Sequence, residues 1–232
     1  MTIFQSVFDI IGPVMVGPSS SHTAGAVRIG LAARSIFEEQ PDEVDITFYG
    51  SFGHTYKGHG TDLAIIAGLL GYTTESVEIR HAYEMAKEAG MKVSIETSEE
   101  ISEHPNKARV CMKKGGRSMC VSGISTGGGL IEVTEIDGFN VHMSCDEPVT
   151  LIFHRDRPGL IARVTHILGD ENVNVSQMEV SRKGRGERAL MLLATDNPIP
   201  ARALRSISLV EDVGPIIFLS SLSASTLSCK ED

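Results

Sequence analysis

The chain has no tryptophan, few other aromatic residues and no long basic or apolar run. Each of these absences argues against one class of function. Aromatic residues make up 5% of the 232 positions, and they do not alternate with lysine and arginine as in proteins that bind single-stranded nucleic acid. A formal net charge of -9 also argues against nucleic-acid binding, which needs a basic patch. No stretch approaches the length that crosses a membrane. We therefore expect neither nucleic acid nor a membrane among its partners.

Cysteine is also sparse, and its spacing is irregular. The four residues form neither a C-x-x-C pair nor a regular framework, so they are poor metal ligands and no metal site is predicted in this chain. Scattered thiols are typical of a reducing compartment. The first 16 residues contain Asp9 and lack a basic start and a cleavage pattern, so no signal peptide is predicted. Together these features predict a cytoplasmic protein. The four cysteines are Cys111, Cys120, Cys145 and Cys229.

The most informative stretch is 16–30, where a Gly-Pro turn precedes a run of hydroxyl side chains, one imidazole and then a helical pattern. This order places small polar side chains at a helix N-terminus, where unpaired N–H groups and the helix dipole attract an anion. The alternative is that Ser21 or Thr23 caps the helix and the other serines fill a loop. The residues predicted to bind this anion, a carboxylate or a phosphate, are Ser19, Ser20, Ser21 and Thr23.

A second glycine-rich stretch, 50–62, follows a predicted strand at 44–49. Its first eleven residues include four glycines, which predicts a loop that turns sharply or closely approaches another group. His59 lies between two glycines and is expected to face a ligand, with a buried structural histidine as the alternative. Thr61 or Asp62 is expected to cap the next helix, so this loop also ends at an anion-receptive helix N-terminus.

Two further features of the first half leave alternatives open. Lys57 either pairs with a carboxylate or is simply solvated, and a lone lysine is usually solvated. The stretch 123–129 contains a third cluster of glycines and hydroxyls. It forms either an anion-binding nest or a flexible turn.

Up to residue 146 the pattern predicts a mixed α/β domain. Dipeptides at 115–116 and 137–138 predict hairpin turns. The predicted helices are 6–11, 23–39, 63–70 and 81–89, and the predicted strands are 44–49, 92–96, 108–113, 118–124 and 129–136.

Residues 147–222 follow a different order: strand, helix, strand, strand, helix, strand. This βαββαβ order is the ferredoxin-like plan, and the segment is long enough to fold as its own domain. The serine-rich residues 223–232 are predicted to form a flexible tail. The predicted elements are 149–154, 160–168, 173–182, 188–195, 201–206 and 209–219.

Several of these motifs resemble known families. Asp156-Arg157-Pro158-Gly159, followed by an apolar helix and then by Asn172-Val173-Asn174-Val175, resembles an ACT domain. ACT domains usually sense a small ligand, often an amino acid, between copies. The first domain resembles the β chain of bacterial iron-sulfur-dependent L-serine dehydratase. The motifs behind this second resemblance are Gly17-Pro18-Ser19-Ser20-Ser21-His22-Thr23, Lys57-Gly58-His59-Gly60-Thr61-Asp62 and Gly127-Gly128-Gly129.

The resemblance implies an α/β first domain similar to the allosteric substrate-binding domain of some phosphoglycerate dehydrogenases, joined to a smaller ACT domain. It also implies a separate α chain that completes the enzyme and holds a 4Fe-4S cluster. The implied reaction removes water from L-serine to give aminoacrylate, which becomes pyruvate and ammonia. Self-association through the ACT domain is also expected, because paired edge strands satisfy open hydrogen-bonding groups.

Such a dehydration needs a Lewis acid for the β-hydroxyl, a base for the α-proton and an anchor for the carboxylate. The chain lacks the first, but its serine-rich loop can anchor the carboxylate and His59 is the expected base or proton carrier. Thr61 and Lys57 are assigned to substrate orientation or charge support. His22 either binds substrate or only shapes the loop, and Gly127-Gly128 is assigned to substrate binding.

Two other functions compete with this one. The chain could be a regulatory subunit in which both domains only sense serine or a related anion. Alternatively, the ACT-like domain could be only a dimerisation surface. Two histidines and a lysine in glycine-rich segments exceed what a sensor requires, which favours the enzyme subunit.

Overall fold

The described part of the chain, residues 14–222 of a computed structural model, divides at Gly138 into two units. The predicted helix at 6–11 and the predicted tail at 223–232 lie outside the described residues. Residues 139–146 group with the second unit, although the sequence pattern assigns them to the first domain. The boundary at 146 stays a prediction.

The first unit packs helices on one face of a sheet in which strands β2, β1, β3, β4 and β5 lie side by side in that order. Strands β1 and β2 are parallel, whereas β1–β3, β3–β4 and β4–β5 are antiparallel. The strands are β1 (Glu43–Tyr49), β2 (Lys92–Ser98), β3 (Lys107–Lys114), β4 (Arg117–Gly127) and β5 (Leu130–Ile136). The helices are a π-helical turn (Ser20–Ala24), α1 (Gly25–Phe37), α2 (Gly50–His59), α3 (Thr61–Leu69), a 3-10 turn (Val77–His81) and α4 (Ala82–Glu88).

Strand β1 shows why the sheet has one covered face. Val44, Ile46 and Phe48 are buried, whereas Glu43 and Asp45 between them are exposed. This alternation puts apolar side chains under the helices and leaves charged ones on the opposite face. The mixed α/β prediction for this half of the chain is confirmed.

Helix α1 is the centre of the unit and packs tightly on α3. A Cβ at Gly30 would overlap the carbonyl oxygen of Ile65, and one at Gly68 would overlap that of Val27. Two glycines therefore let the helix backbones meet. At the other end of α1, the β3–β4 turn places Lys114 Nζ 2.9 Å from the carbonyl oxygen of Gln40. The predicted Gly115-Gly116 hairpin turn is confirmed.

The predicted loop at 50–62 is wrong, because most of it is helix α2. Phe52 is buried, and the Tyr56 ring lies 5.3 Å from that of Phe48, so apolar packing on β1 holds the helix despite its glycines. The break between α2 and α3 comes at Gly60, which has a left-handed φ of 64°. Gly60 also occupies the N-cap position of α3, so neither Thr61 nor Asp62 caps that helix as predicted.

The second unit has the predicted βαββαβ order, with an antiparallel sheet in the order β10-β7-β9-β8. Its two helices bury Ile152, Leu160, Met191 and Leu193 against one face of that sheet. The ferredoxin-like prediction is confirmed. The elements of this order are β7 (Val149–Arg155), α5 (Leu160–Asp170), β8 (Val175–Arg182), β9 (Arg188–Thr195), α6 (Ala201–Ser208) and β10 (Val213–Leu219). Strand β6 (Phe139–Met143) precedes them in the chain and is not part of this sheet.

Two of the cysteines that look scattered in the sequence meet in the sheet. Cys111 on β3 lies opposite Cys120 on β4, and the two form a disulfide. The cysteine spacing does not reveal this pair, because the β3–β4 hairpin brings residues nine positions apart into register. Among residues 14–222, no helix is both long and apolar enough to cross a bilayer.

Candidate active site

The serine-rich loop forms the N-terminus of a continuous helical segment, as predicted, but Ser19 caps it. The Ser19 Oγ accepts a hydrogen bond from the His22 N–H at 3.1 Å and lies 3.3 Å from the Ser21 Oγ. Capping by Ser21 or Thr23 is therefore wrong. The structure places Ser20 and Ser21 in the first turn, where backbone N–H groups have no preceding helical carbonyl.

His22 joins this turn to helix α2 through two hydroxyls. Its Nδ1 lies 2.9 Å from the Ser21 Oγ and its Nε2 lies 3.1 Å from the Ser51 Oγ. A neutral imidazole has one donor and one acceptor nitrogen, so one hydroxyl donates to the ring and the other accepts from it. Burial, and secondarily the neighbouring His59, lower the pKa of His22. His22 is therefore held neutral near pH 7.

Ser51 is a site residue that the sequence analysis missed. It lies in the first turn of α2, within a segment that was predicted to be an irregular loop. Its position directly after a strand and before a histidine-containing helix is the signal that could have identified it. Phe52, the next residue, is buried with its ring 5.1 Å from that of His22.

His59 ends α2 and lies beside His22, with 4.8 Å between the ring centroids. Its Nδ1 is shielded from solvent and has no hydrogen-bond partner among the described residues. The Thr23 hydroxyl donates to the His59 carbonyl oxygen at 3.1 Å. Two motifs that are far apart in the sequence thus form one site, with an unpaired imidazole nitrogen beside a helix N-terminus.

The residues after His59 are buried and polar. Thr61 is fully buried, and its Oγ1 has no hydrogen-bond partner among the described residues. Asp62 is 8% exposed and accepts a hydrogen bond from the Tyr83 hydroxyl at 3.0 Å. Burial and the adjacent Asp62 carboxylate raise the pKa of Tyr83 well above its ordinary value, so Tyr83 stays a donor.

In the described structure, neither Lys57 nor His54 forms a hydrogen bond with the imidazole of His22 or His59. Both side chains are exposed on α2. The Lys57 Nζ lies 5.7 Å from the ring centroid of Tyr56. The Lys57 side chain is therefore solvated and makes one cation–π contact. Its assigned role in charge support stays a prediction.

The third glycine cluster forms the turn between β4 and β5 and lies against α1. Arg28 of α1 donates from Nη1 to the Gly129 carbonyl oxygen at 2.9 Å. Ser125 is buried against the first residue of α1, because a Cβ at Gly25 would overlap its Oγ. Gly127 and Gly128 both have positive φ, which suits a tight turn. Their assignment to substrate binding stays a prediction.

The segment that carries these motifs matches a known family. A family model described as "Serine dehydratase beta chain" matches residues 6–122, and one described as "ACT domain" matches residues 149–208. The chain belongs to the serine dehydratase β-chain family. The match to this family includes both histidine motifs.

Relatives of similar length support this membership. A protein of Bacillus subtilis (strain 168) named "Probable L-serine dehydratase, beta chain" is 44% identical over 210 residues, which is 90% of this chain and 96% of that protein. The "L-serine dehydratase, beta chain" of Peptoniphilus asaccharolyticus is 32% identical over 197 residues, which is 84% of this chain and 88% of that protein. The D-3-phosphoglycerate dehydrogenase of B. subtilis is 28% identical over 81% of this chain and 36% of its own length. The equivalence to an allosteric substrate-binding domain stays a prediction.

In this β-chain fold, three of the buried polar atoms that lack a hydrogen-bond partner among the described residues lie in or beside the two motifs. The His59 Nδ1, the Thr61 Oγ1 and the Ser125 Oγ are all buried without a hydrogen-bond partner among residues 14–222. A buried polar group without a partner costs about 1–3 kcal/mol. Such groups are retained where a ligand or a second polypeptide satisfies them, which makes this the candidate active site.

The described residues of the chain do not provide a metal centre. Within 14–222, no group of three or more His, Cys, Asp or Glu side chains is arranged to hold a metal ion. Cys111 and Cys120 are bonded to each other. A 4Fe-4S cluster held by thiolates therefore does not fit the described residues.

Proposed function

We propose that this chain is the β subunit of an L-serine dehydratase and that it acts with an α chain to convert L-serine to pyruvate and ammonia. The names of the two β-chain relatives support the substrate, the reaction and the need for a second kind of chain. The decisive observation is the contact between His22 and His59 at a hydroxyl-lined helix N-terminus. This site offers an anion receptor and a proton acceptor side by side.

The first turn of the helical segment is the proposed receptor for the substrate carboxylate. Ser19 already caps the turn, and the Thr23 hydroxyl already donates to His59. The Ser21 hydroxyl already pairs with His22, so the groups that remain for a carboxylate are the Ser20 hydroxyl and the backbone N–H groups of Ser20 and Ser21. Ser19 and Thr23 therefore act by shaping the turn rather than by direct contact.

His59 is the proposed base for the α-proton. Its Nδ1 has no protein partner among the described residues, so a neutral ring can accept a proton there. A neutral His22 avoids placing a second positive charge next to the protonated ring. The buried Thr61 hydroxyl is proposed to orient the substrate, since it too lacks a partner in the described structure.

Departure of the β-hydroxyl is not assigned to any residue of this chain. The 4Fe-4S cluster is proposed to lie on the α chain, as the resemblance to iron-sulfur-dependent serine dehydratases implies. A cytoplasmic location and self-association through the ACT unit belong to the same proposal. The ACT family match also supports a second candidate, a subunit that senses an amino acid.

The test is co-expression with the α chain under anaerobic conditions and measurement of pyruvate formation. His59→Ala should lower kcat by at least about 100-fold, the usual minimum for loss of a general base. His54→Ala is the matched control, since His54 is an exposed histidine on the same helix. It should retain the wild-type rate.

Two outcomes would contradict parts of the proposal. An unchanged rate with His59→Ala would remove His59 from the mechanism. Full activity in both Ser20→Ala and His59→Ala, together with a lost response to added amino acid, would instead establish the sensor function.

A further inference from the structure

The Cys111–Cys120 pair is a feature that the proposed dehydratase chemistry does not use. The two residues are directly opposite each other on β3 and β4, with Cα atoms 4.0 Å apart. Such a short separation is typical of antiparallel residue pairs that do not exchange backbone hydrogen bonds, where side chains are closest. The hairpin register alone therefore holds the two sulfur atoms within bonding reach.

Both sulfurs lie on the open face of the sheet. Val110, Met112 and Val121, which flank the pair along the two strands, are fully buried on the helix side. Cys111 and Cys120 are partly exposed and share the opposite face with the exposed Asp45–Lys113 ion pair. A small solvent-borne reagent can reach them. By contrast, Cys145 is 3% exposed.

The strand tied by this disulfide supports α1 along its length. Arg117, at the start of β4, donates to the Phe37 carbonyl oxygen at the end of α1. A Cβ at Gly123 would lie 3.2 Å from Ile29 in the middle of α1. Ser125 packs against Gly25 at its beginning. The β3–β4 pairing therefore holds the strand on which α1 rests.

We propose that Cys111 and Cys120 form a reversible thiol–disulfide pair that low-molecular-weight disulfides oxidise and low-molecular-weight thiols reduce. One cysteine thiolate attacks a sulfur of glutathione disulfide, which forms a mixed disulfide and releases one glutathione thiol. The second cysteine then attacks the protein-side sulfur and releases the second glutathione. The protein loses two electrons and two protons, and one glutathione disulfide becomes two glutathiones. Disulfides of this transient kind are the ones found in reducing compartments.

Oxidation should stabilise the first unit, because the cross-link restricts the unfolded chain. The closed loop is short, so we expect a rise in melting temperature of about 3–8 °C. The native hairpin needs no rearrangement, since its register already pairs the two residues.

The test uses the full-length chain, reduced with dithiothreitol, freed of reductant, incubated with glutathione disulfide and then alkylated. Peptide mass mapping of the wild type should show a Cys111–Cys120 disulfide and no glutathione on either of these two residues. Cys111→Ser and Cys120→Ser should each retain a glutathione adduct on the remaining cysteine, because no resolving thiol is opposite. The double variant Cys111→Ser/Cys120→Ser should melt at one temperature with or without the oxidant.

Three results would overturn the proposal. The first is a glutathione adduct that persists on the wild-type pair, and the second is alkylation of both cysteines despite excess oxidant. The third is a disulfide that joins either residue to Cys145 or Cys229 instead. Equal melting temperatures of oxidised and reduced wild type would refute the stabilising effect separately.

Discussion

At the scale of single residues, the site depends on which groups are left without partners. Ser19, Ser21 and Ser51 satisfy hydrogen bonds around His22 and its turn. His59 and Thr61 keep one unsatisfied buried atom each in the described structure. This division separates residues that build the site from residues that can act on a ligand.

The lowered pKa of His22 makes folding stability depend on pH. Its ordinary value is 6.5, and burial lowers the pKa in the folded state, so the unfolded chain binds the proton more readily. The resulting stabilisation is complete above the unfolded pKa and is lost as the pH falls below it. His22→Gln, which keeps an amide near Ser51, should therefore lose less stability than wild type between about pH 8 and pH 5.5.

The measurement is urea denaturation of both proteins at a series of pH values. His104 is only partly buried, and its pKa is also lowered mainly by burial. It is present in both proteins and therefore cancels in the comparison. Identical pH dependence of the two free energies of unfolding would contradict the assigned pKa direction.

At the scale of elements, the helix pair α1–α3 requires glycine at its crossing. Gly68→Ala should destabilise the chain by about 1–3 kcal/mol, because its Cβ would overlap the Val27 carbonyl oxygen and force the helices apart. Gly58→Ala is the matched control, since a Cβ there meets no atom within 4 Å. Its helical position should make it neutral or slightly stabilising. Equal urea midpoints for the two variants would contradict this view of the crossing.

The elements also show how much the sequence could predict. The βαββαβ unit was predictable because its apolar periods switch cleanly between two and 3.6 residues. Helix α2 was not, because its glycines at 50, 53 and 58 are typical of a loop when the packing on β1 is unknown. The proximity of His22 and His59 follows from tertiary packing, which no local pattern contains. Ser51 and the disulfide were missed for the same reason.

At the scale of the whole molecule, self-association should use an edge of the ACT unit's sheet. Strands β8 and β10 are the two edges. On β8, Met178 and Val180 are 36% and 38% exposed and point to the same face. An exposed edge with adjacent apolar side chains is a surface on which a second copy can pair.

This assembly can be tested without removing the ACT unit. Val180→Lys should reduce the molar mass measured by light scattering, because a charge on the edge disfavours strand pairing. Phe218→Lys on β10 is the matched control, with a side chain of comparable exposure at 40%. It should leave the mass unchanged. The reverse pattern would assign the contact to β10, whereas an unchanged mass in both variants would exclude edge pairing of this sheet as the source of self-association.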